Sequence, residues 1–166
     1  MRVVIFFIIV AFYSVGYSQK PKITEALNSA LNTENKMQRL NPSNSYKISW
    51  HQGYRVKDSL LYIRFTKTDT FSNCSCTVYR TVNFNKINAV AKDINVVFLT
   101  KPNAVKEVLT YNKCAIDTAT PRTEIHNSDV FFTEIRTAKN NEDLATRLQK
   151  AFKENKLKIA IPYWYD

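Results

Sequence analysis

The spacing of hydrophobic residues predicts one helix near each end of the chain. Residues 140–156 carry apolar side chains at positions i, i+4, i+7 and i+8, which are Leu144, Leu148, Ala151 and Phe152. Asn140 or Asn141 can cap this helix, and the acidic residues that follow suit a helix N-terminus. Residues 20–40 show a second amphipathic pattern, which stops before the proline-containing turn at 41–44.

Between the two helices the hydrophobic period changes from helical to alternating. The alternation predicts strands over residues 46–50, 59–66, 76–84, 94–100, 105–111 and 130–137. The strand at 94–100, INVVFLT, is the most apolar of these candidates, and its side chains suit burial on both faces. In the strand at 76–84, Arg80 interrupts the apolar face, and its long stem is expected to reach solvent at a sheet edge.

Four segments carry weaker patterns. Residues 51–53 predict a turn, residues 85–93 a short helical turn or a linker, and residues 112–127 a long hairpin or an irregular loop. The tail at 159–165 is apolar and aromatic, so it is either an edge segment limited by Pro162 or an exposed patch for a partner. Packing is favoured, because an exposed aromatic tail promotes aggregation.

This order of elements predicts an α+β fold with a single domain at residues 19–166. The elements are an N-terminal helix, a curled antiparallel sheet or small barrel of about six to seven strands, and a C-terminal helix that caps the sheet. With 166 residues, the chain is long enough to bury a hydrophobic core without help from a metal or a disulfide bond.

The strand series over residues 46–137, followed by the helix sequence DLATRLQKAFKEN at 143–155, resembles the pleckstrin-homology-like architecture. In that superfamily a small barrel is closed at one end by a C-terminal helix. The resemblance implies binding of phosphoinositides, peptides or protein surfaces and not catalysis. Lipid-binding members carry a basic cluster in the first hairpin. Here Arg55 and Lys57 precede the second strand, but the region between Tyr46 and Thr66 has no matching run of lysines and arginines. We therefore expect binding in general and no phosphoinositide site.

The N-terminus has the pattern of a secretory signal peptide over residues 1–18. A positive start and an almost wholly apolar stretch at 3–13 precede small residues at Gly16 and Ser18, which favour cleavage after Ser18. A retained transmembrane anchor would need about 20 apolar residues, and this run ends after roughly a dozen. We expect a secreted or periplasmic protein with no transmembrane anchor after cleavage.

The chain is basic, with 24 lysines and arginines against 14 aspartates and glutamates and a formal net charge of +10. Such a charge favours anionic partners. The candidates are an envelope protein, an acidic polysaccharide or an anionic surface, whereas export argues against nucleic acid. The basic residues are scattered, which is also the pattern of an ordinary solvated surface. With only two glycines, the chain has no glycine-rich loop of the kind that binds phosphates or dinucleotides.

Three cysteines, Cys74, Cys76 and Cys114, allow at most one disulfide bond within the chain. In an exported protein a structural bridge is favoured, and it joins Cys114 either to Cys76 or to Cys74. The bridge would close a loop of about 40 residues and contribute about 3 to 4 kcal/mol. A zinc site needs about four ligands, and no further cysteine or histidine lies nearby in sequence, so neither a metal nor another cofactor is predicted.

The chain has two histidines, His51 at a strand end and His126 in a polar segment. Glu124, His126 and Asp129 form a candidate polar cluster, to which a Cys114 nucleophile could be added on paper. These residue types are common, and a histidine in a polar loop is usually just solvated. No catalytic residue is therefore predicted.

These patterns favour an exported, non-enzymatic binding or interaction module whose ligand the sequence does not name. Two alternatives stay open. One is a small exported hydrolase or thiol enzyme that uses Cys114 and His126, and the other is a structural envelope protein that acts through its aromatic tail.

Overall fold

A computed structural model describes residues 20–40, 45–112, 122–136 and 141–165. The predicted α+β class is confirmed, with helix α1 (Lys20–Leu40) before the strands and helix α2 (Glu142–Glu154) after them. A short 3-10 turn lies at Phe84–Lys86. The strands are β1 (Tyr46–Lys57), β2 (Leu60–Asp69), β3 (Ser75–Asn83), β4 (Ile87–Lys92), β5 (Val96–Thr100), β6 (Val105–Tyr111), β7 (Arg122–Ser128) and β8 (Val130–Phe132).

The strands are antiparallel, as predicted, but they belong to two sheets. One sheet has five strands in the order β1-β2-β3-β6-β7, and the other has three in the order β4-β5-β8. The chain therefore leaves the large sheet after β3, forms β4 and β5 of the small sheet, and returns to the large sheet at β6. Because the described strands are divided in this way, they form no closed barrel.

Three segments with weak patterns are strands. Residues 51–53 do not turn but continue β1, with register shifts on either side of Gln52. The helical turn predicted within residues 85–93 is present only as the 3-10 turn at Phe84–Lys86, and residues 87–92 form β4, whose side chains are mostly buried. Residues 122–128 form β7, which is polar and is held by its ladder with β6, so hydrophobic alternation gave no sign of it.

The apolar stripe of α2 is buried, as predicted. Leu144, Leu148 and Phe152 have no exposed surface. The ring centroid of Phe152 lies 5.7 Å from that of Phe84 in the 3-10 turn and 5.9 Å from that of Phe98 on β5. The helix therefore covers the core above the 3-10 turn and β5. The burial of its apolar stripe stabilises the fold through the hydrophobic effect.

The predicted helix α1 contributes Ile23, Leu27 and Leu31 to the same core. Glu34 follows on this buried stripe and has no exposed surface. Its carboxylate accepts hydrogen bonds from the backbone N–H of Arg136, at 3.0 Å, and from the side chain of Gln38. The buried face of α1, which is otherwise apolar, thus carries a carboxylate at the point where the helix contacts the segment after β8.

The C-terminal tail packs along β4, as the sequence favoured. Ala160 forms a parallel bridge with Ala89, and Trp164 forms one with Lys92. Ile159 is 6% exposed and belongs to the core. The tail therefore adds an edge segment to the smaller sheet.

Asn141 precedes α2 at the N-cap position, but its side chain makes no capping hydrogen bond. Its Oδ1 atom instead accepts hydrogen bonds from Nζ of Lys92, at 3.0 Å, and from Nε1 of Trp164, at 3.1 Å. The residue therefore ties the start of α2 to β4 and to the tail.

In the part of the chain that the structure describes, no helix is long and apolar enough to cross a membrane. The predicted signal peptide at 1–18 lies outside the described residues. Export therefore stays a prediction.

The substitution Phe152→Ala tests the burial of α2. Loss of the ring leaves a cavity in the core, so we expect the free energy of unfolding to fall by about 3 to 5 kcal/mol. Chemical denaturation followed by circular dichroism measures the change. The exposed neighbour Lys153→Ala is the control and should change stability by less than about 0.5 kcal/mol. A loss below about 1 kcal/mol for Phe152→Ala would mean that α2 does not close the core.

Candidate functional site

The inner face of the five-stranded sheet carries a cluster of charges whose two central residues, Arg80 and Glu134, are buried. Arg80 lies on β3, the middle strand, and is 5% exposed. Its guanidinium pairs with the carboxylates of Glu107 on β6 and of Glu134 after β8, the latter at 3.2 Å. Glu134 is 1% exposed and also pairs with Lys67, at 3.7 Å, and with Arg136. These five residues are called the ion cluster below.

The position of Arg80 shows that the prediction of a stem reaching solvent at a sheet edge is wrong. β3 is paired on both sides, by β2 and β6, so its inward side chains are enclosed. Aromatic rings cover the guanidinium, which lies 5.5 Å from the ring centroid of Phe65 and 5.8 Å from that of Phe131. These cation–π contacts and the paired carboxylates offset the cost of burying the charge.

The electrostatics of the ion cluster keep Glu134 ionised. Burial alone would raise the pKa of its carboxyl, but the positive charges of Arg80, Lys67 and Arg136 outweigh burial and hold the pKa below its ordinary value. At neutral pH this carboxylate accepts hydrogen bonds and has no proton to donate. The ion cluster therefore has the properties of a structural ion pair and not of a general acid.

Two members of the predicted polar cluster lie together on β7. Nε2 of His126 is 3.1 Å from Oε2 of Glu124, and Arg122 contacts the same carboxylate at 2.6 Å. The hydrogen bond with His126 and the charge of Arg122 lower the pKa of Glu124. Asp129 lies in the bend after β7, where its backbone oxygen accepts hydrogen bonds from Thr100. The described residues show no contact between the Asp129 carboxylate and His126, whose side chain is 56% exposed.

The cysteines differ in state. Cys76 is a free, half-buried thiol, and burial together with the nearby charge of Glu107 raises its pKa. A raised pKa leaves little reactive thiolate at neutral pH. Cys74 is disulfide-bonded, and Cys114 lies outside the described residues. A free Cys76 leaves the pairing of Cys74 with Cys114, which stays a prediction because Cys114 is not among the described residues.

The outer face of the five-stranded sheet is open to solvent. Because side chains alternate along each strand, the register places outward residues in rows that cross all five strands. The three complete rows are Ser49-Thr66-Thr77-Thr110-Thr123, Gln52-Arg64-Tyr79-Val108-Ile125 and Arg55-Tyr62-Thr81-Lys106-Asn127. These three rows, together with the other outward residues of the same strands, such as Lys47 and Lys57, are called the outer face below.

The outer face is basic and carries no acidic side chain. Its cationic residues are all exposed, and they are Lys47, Arg55, Lys57, Arg64 and Lys106. The acidic residues of the same strands, Asp69, Glu107 and Glu124, stand at inward positions of the register. One side of the sheet is therefore a surface of a single charge sign, which attracts anions.

Aromatic and hydroxyl side chains lie among these charges. The rings of Tyr62 and Tyr79 are 5.8 Å apart, and Tyr79 is 40% exposed. Oγ1 of Thr66 is 3.1 Å from Oγ1 of Thr77 and 2.7 Å from Nε2 of His51. A shallow depression of about 260 Å³ lies in the middle of this surface, lined by Gln52, Arg64, Thr77, Tyr79, Val108 and Thr110.

Sequence reasoning missed both the ion cluster and the outer face. The members of the ion cluster are far apart along the chain, so only the pairing of strands brings them together. The one available signal was that Arg80 shares the apolar face of its strand with Val78 and Val82. The outer face needed the register of five strands, and neither β7 nor the second half of β1 had a clear hydrophobic pattern.

No protein-family model, no curated protein and no solved structure matches this chain. No property is therefore carried over from a relative, and the resemblance to the pleckstrin-homology-like architecture stays an expectation. Within the described ranges, no group of three or more histidine, cysteine, aspartate and glutamate side chains is arranged to hold a metal ion.

The lowered pKa of Glu134 predicts a loss of stability in acid. The folded-state pKa is below the value of 4.5 expected without the fold. The stability contributed by the ionised carboxylate is therefore fully present above that value and is lost as the pH falls through the lowered pKa. Glu134→Gln removes this part of the pH dependence and leaves Arg80 short of one partner, so the free energy of unfolding at neutral pH should fall by about 3 to 5 kcal/mol.

Denaturation curves recorded between neutral and acidic pH for the wild type and for Glu134→Gln measure this effect. The control is Glu142→Gln, which removes an exposed carboxylate at the start of α2. If Glu134→Gln retains the wild-type dependence of stability on pH, the ion cluster does not set it.

The cysteine states predict the outcome of disulfide mapping. We expect peptide mass spectrometry of the non-reduced, purified protein to find Cys74 linked to Cys114, and to find Cys76 alkylated after treatment under denaturing conditions, as a free thiol would be. Closing a loop of about 40 residues should stabilise the fold by about 3 to 4 kcal/mol, so reduction should lower the unfolding midpoint. A peptide that links Cys76 to Cys114 would contradict this prediction.

Proposed function

We propose that the protein is an exported, non-enzymatic binding module that holds an anionic partner on the outer face. The observation that carries the proposal is the charge distribution of the five-stranded sheet. Five exposed cations stand on one side of it, and every acidic residue of its described strands stands on the other. A scattered basic composition thus becomes a one-signed surface once the sheet is folded.

The inward carboxylates make this separation possible. Glu107 is committed to Arg80, and Glu124 contacts Arg122 and His126. Neither carboxylate is available to neutralise the outward lysines and arginines. The positive electrostatic potential of the outer face is therefore reduced only partly, by the carboxylates on the other side of the sheet and by screening from dissolved salt.

The shape of the surface supports an extended partner. The depression between Arg64 and Tyr79 is shallow, and the rows around it run across the full width of the sheet. A polymer or an anionic surface can contact several rows at once, and the energy of such contacts adds up although each exposed charge contributes little.

The polar groups examined for catalysis lend no support to the enzyme alternative. The His126–Glu124 pair is exposed and has no described nucleophile beside it. The Cys76 thiol has a raised pKa, the opposite of what an attacking thiol needs. The alternative of a structural protein acting through its tail is also less favoured, because much of the tail is used against β4.

A pair of double variants with equal net charge tests the proposal. Arg64→Gln with Lys106→Gln removes two charges from the outer face, and Lys150→Gln with Lys153→Gln removes two from the exposed side of α2. Binding to polygalacturonate, to poly-glutamate and to vesicles containing phosphatidylglycerol is measured at several salt concentrations. We expect the protein to bind at least one of these probes, and the outer-face variant to weaken binding roughly three- to tenfold with a smaller salt dependence.

The α2 variant serves as the control and should bind like the wild type. Equal weakening by both variants would mean that net charge alone drives binding, and the outer face would lose its assignment. Absence of binding to all three anionic probes would refute the proposal itself.

A further inference from the structure

A polar cleft lies where α1 crosses the edge strand β1. Its volume is about 320 Å³, and it is lined by Asn28, Leu31, Asn32, Asn35, Trp50, Gly53, Tyr54 and Arg55. Three of these residues are asparagines spaced i, i+4 and i+7, so they stand on one face of α1. These eight residues are called the asparagine cleft below.

The cleft is built by a specific contact between α1 and the irregular part of β1. Nδ2 of Asn28 donates to the carbonyl of Tyr54 at 3.1 Å, and its Oδ1 accepts from the N–H of Tyr54 at 2.6 Å. A Cβ atom at Gly53 would lie 2.4 Å from the same Oδ1 atom. The close approach therefore depends on glycine at this position, and it fixes the wall of the cleft beside Trp50.

Other polar groups of the cleft have no hydrogen-bond partner among the described residues. The side chains of Asn32 and Asn35 make no hydrogen bond to the residues that the structure describes. Nε1 of Trp50 is buried and likewise has no hydrogen-bond partner there. A buried indole N–H without a partner is unusual, because the loss of hydration is then not offset.

The chemistry of these groups matches a sugar that carries a carboxylate. Amide side chains both donate and accept hydrogen bonds, as sugar hydroxyls do, and the indole supplies an apolar ring with one donor. Arg55 is the charged residue of the lining, and none of the described lining residues carries a carboxylate. Arginine pairs with carboxylates in a bidentate geometry.

Arg55 also connects the asparagine cleft to the outer face. It lines the cleft and at the same time stands in the row that runs through Tyr62 to Lys106. A chain of acidic sugars seated by one unit in the cleft can therefore continue across the basic rows. An acidic peptide lacks the many hydroxyl groups that the asparagine amides fit.

We propose that the asparagine cleft binds one sugar unit of an acidic polysaccharide and so selects this polymer among anionic partners. The inference rests on the proposed binding function of the outer face and names its ligand class. It assigns Asn32, Asn35, Trp50 and Arg55 as the residues that contact the sugar.

Tryptophan fluorescence provides a direct test, because the chain has two tryptophans. In the full protein with Trp164→Phe, Trp50 is the only tryptophan, so excitation at the red edge of the absorption band reports on Trp50 and not on the tyrosines. Trigalacturonate should change its emission in a saturable way, and the methyl ester of the same trisaccharide should bind at least tenfold more weakly, because the ester has no charge for Arg55. Arg55→Gln and Asn35→Ala should each weaken trigalacturonate binding roughly tenfold.

Matched controls remove the same chemistry elsewhere. Lys153→Gln loses one positive charge on α2, and Asn88→Ala loses one exposed amide on β4; both should bind trigalacturonate like the parent. Trp50→Phe keeps a ring against Phe65, whose centroid lies 5.2 Å from that of Trp50, and is followed by calorimetry. Trp50→Phe should weaken the binding of trigalacturonate. The unfolding temperature of each variant is measured to confirm that the variant is folded.

The outcomes separate this inference from the proposed function. If polyanions bind the outer face but trigalacturonate leaves Trp50 emission unchanged, the sugar assignment is overturned and the binding function stands. The assignment is also overturned if the methyl ester binds equally well, or if hexaglutamate changes the emission with equal affinity. If no polyanion binds at all, both proposals fail together.

Discussion

The arrangement of the two sheets depends on the charge of one buried arginine. Arg80 lies in the middle of the large sheet. The more buried of its two carboxylate partners, Glu134, belongs to the irregular segment after β8 of the small sheet. A second contact follows the same path, because the hydroxyl of Tyr54 on β1 donates to the carbonyl of Thr133 at 2.6 Å. Burial raises the pKa of this tyrosine far above its usual value, so it acts as a fixed donor. Residues 133–136 therefore join the two sheets.

This use of inward polar groups divides the molecule into two chemical sides. The inner side holds carboxylates, the hydrophobic core and both helices, and its charges satisfy one another. The outer side keeps cations, threonines and tyrosines with little opposition. A sheet with one packed and one solvated face is common among antiparallel folds. Here the solvated face of the described strands also carries no acidic residue, and solubility alone does not require this.

How far the sequence predicts this structure differs by element. Both helices could be predicted, because Leu144, Leu148 and Phe152 follow the helical period and each is buried. Strands with one apolar face were also predicted, but the strand predicted at 130–137 ends at Phe132 as β8, and residues 133–136 are irregular because they turn their polar groups to both sheets. β7 could not be, because its residues are polar and its place depends on hydrogen bonds to β6, which leave no hydrophobic signal. The asparagine stripe on α1 is visible in the sequence, but its meaning depends on Gly53 and Trp50, which come near it only in the fold.

The pairing of the tail with β4 has a consequence for self-association. An edge strand presents unpaired backbone groups to which a strand of another molecule can add. On β4 part of this edge is occupied by the protein's own residues, including Ala160 and Trp164. The smaller sheet is thereby shielded from growth on that side, and an assembly of several copies through strand addition would be directed to the remaining edge strands, β8 of the smaller sheet and β1 and β7 of the larger sheet.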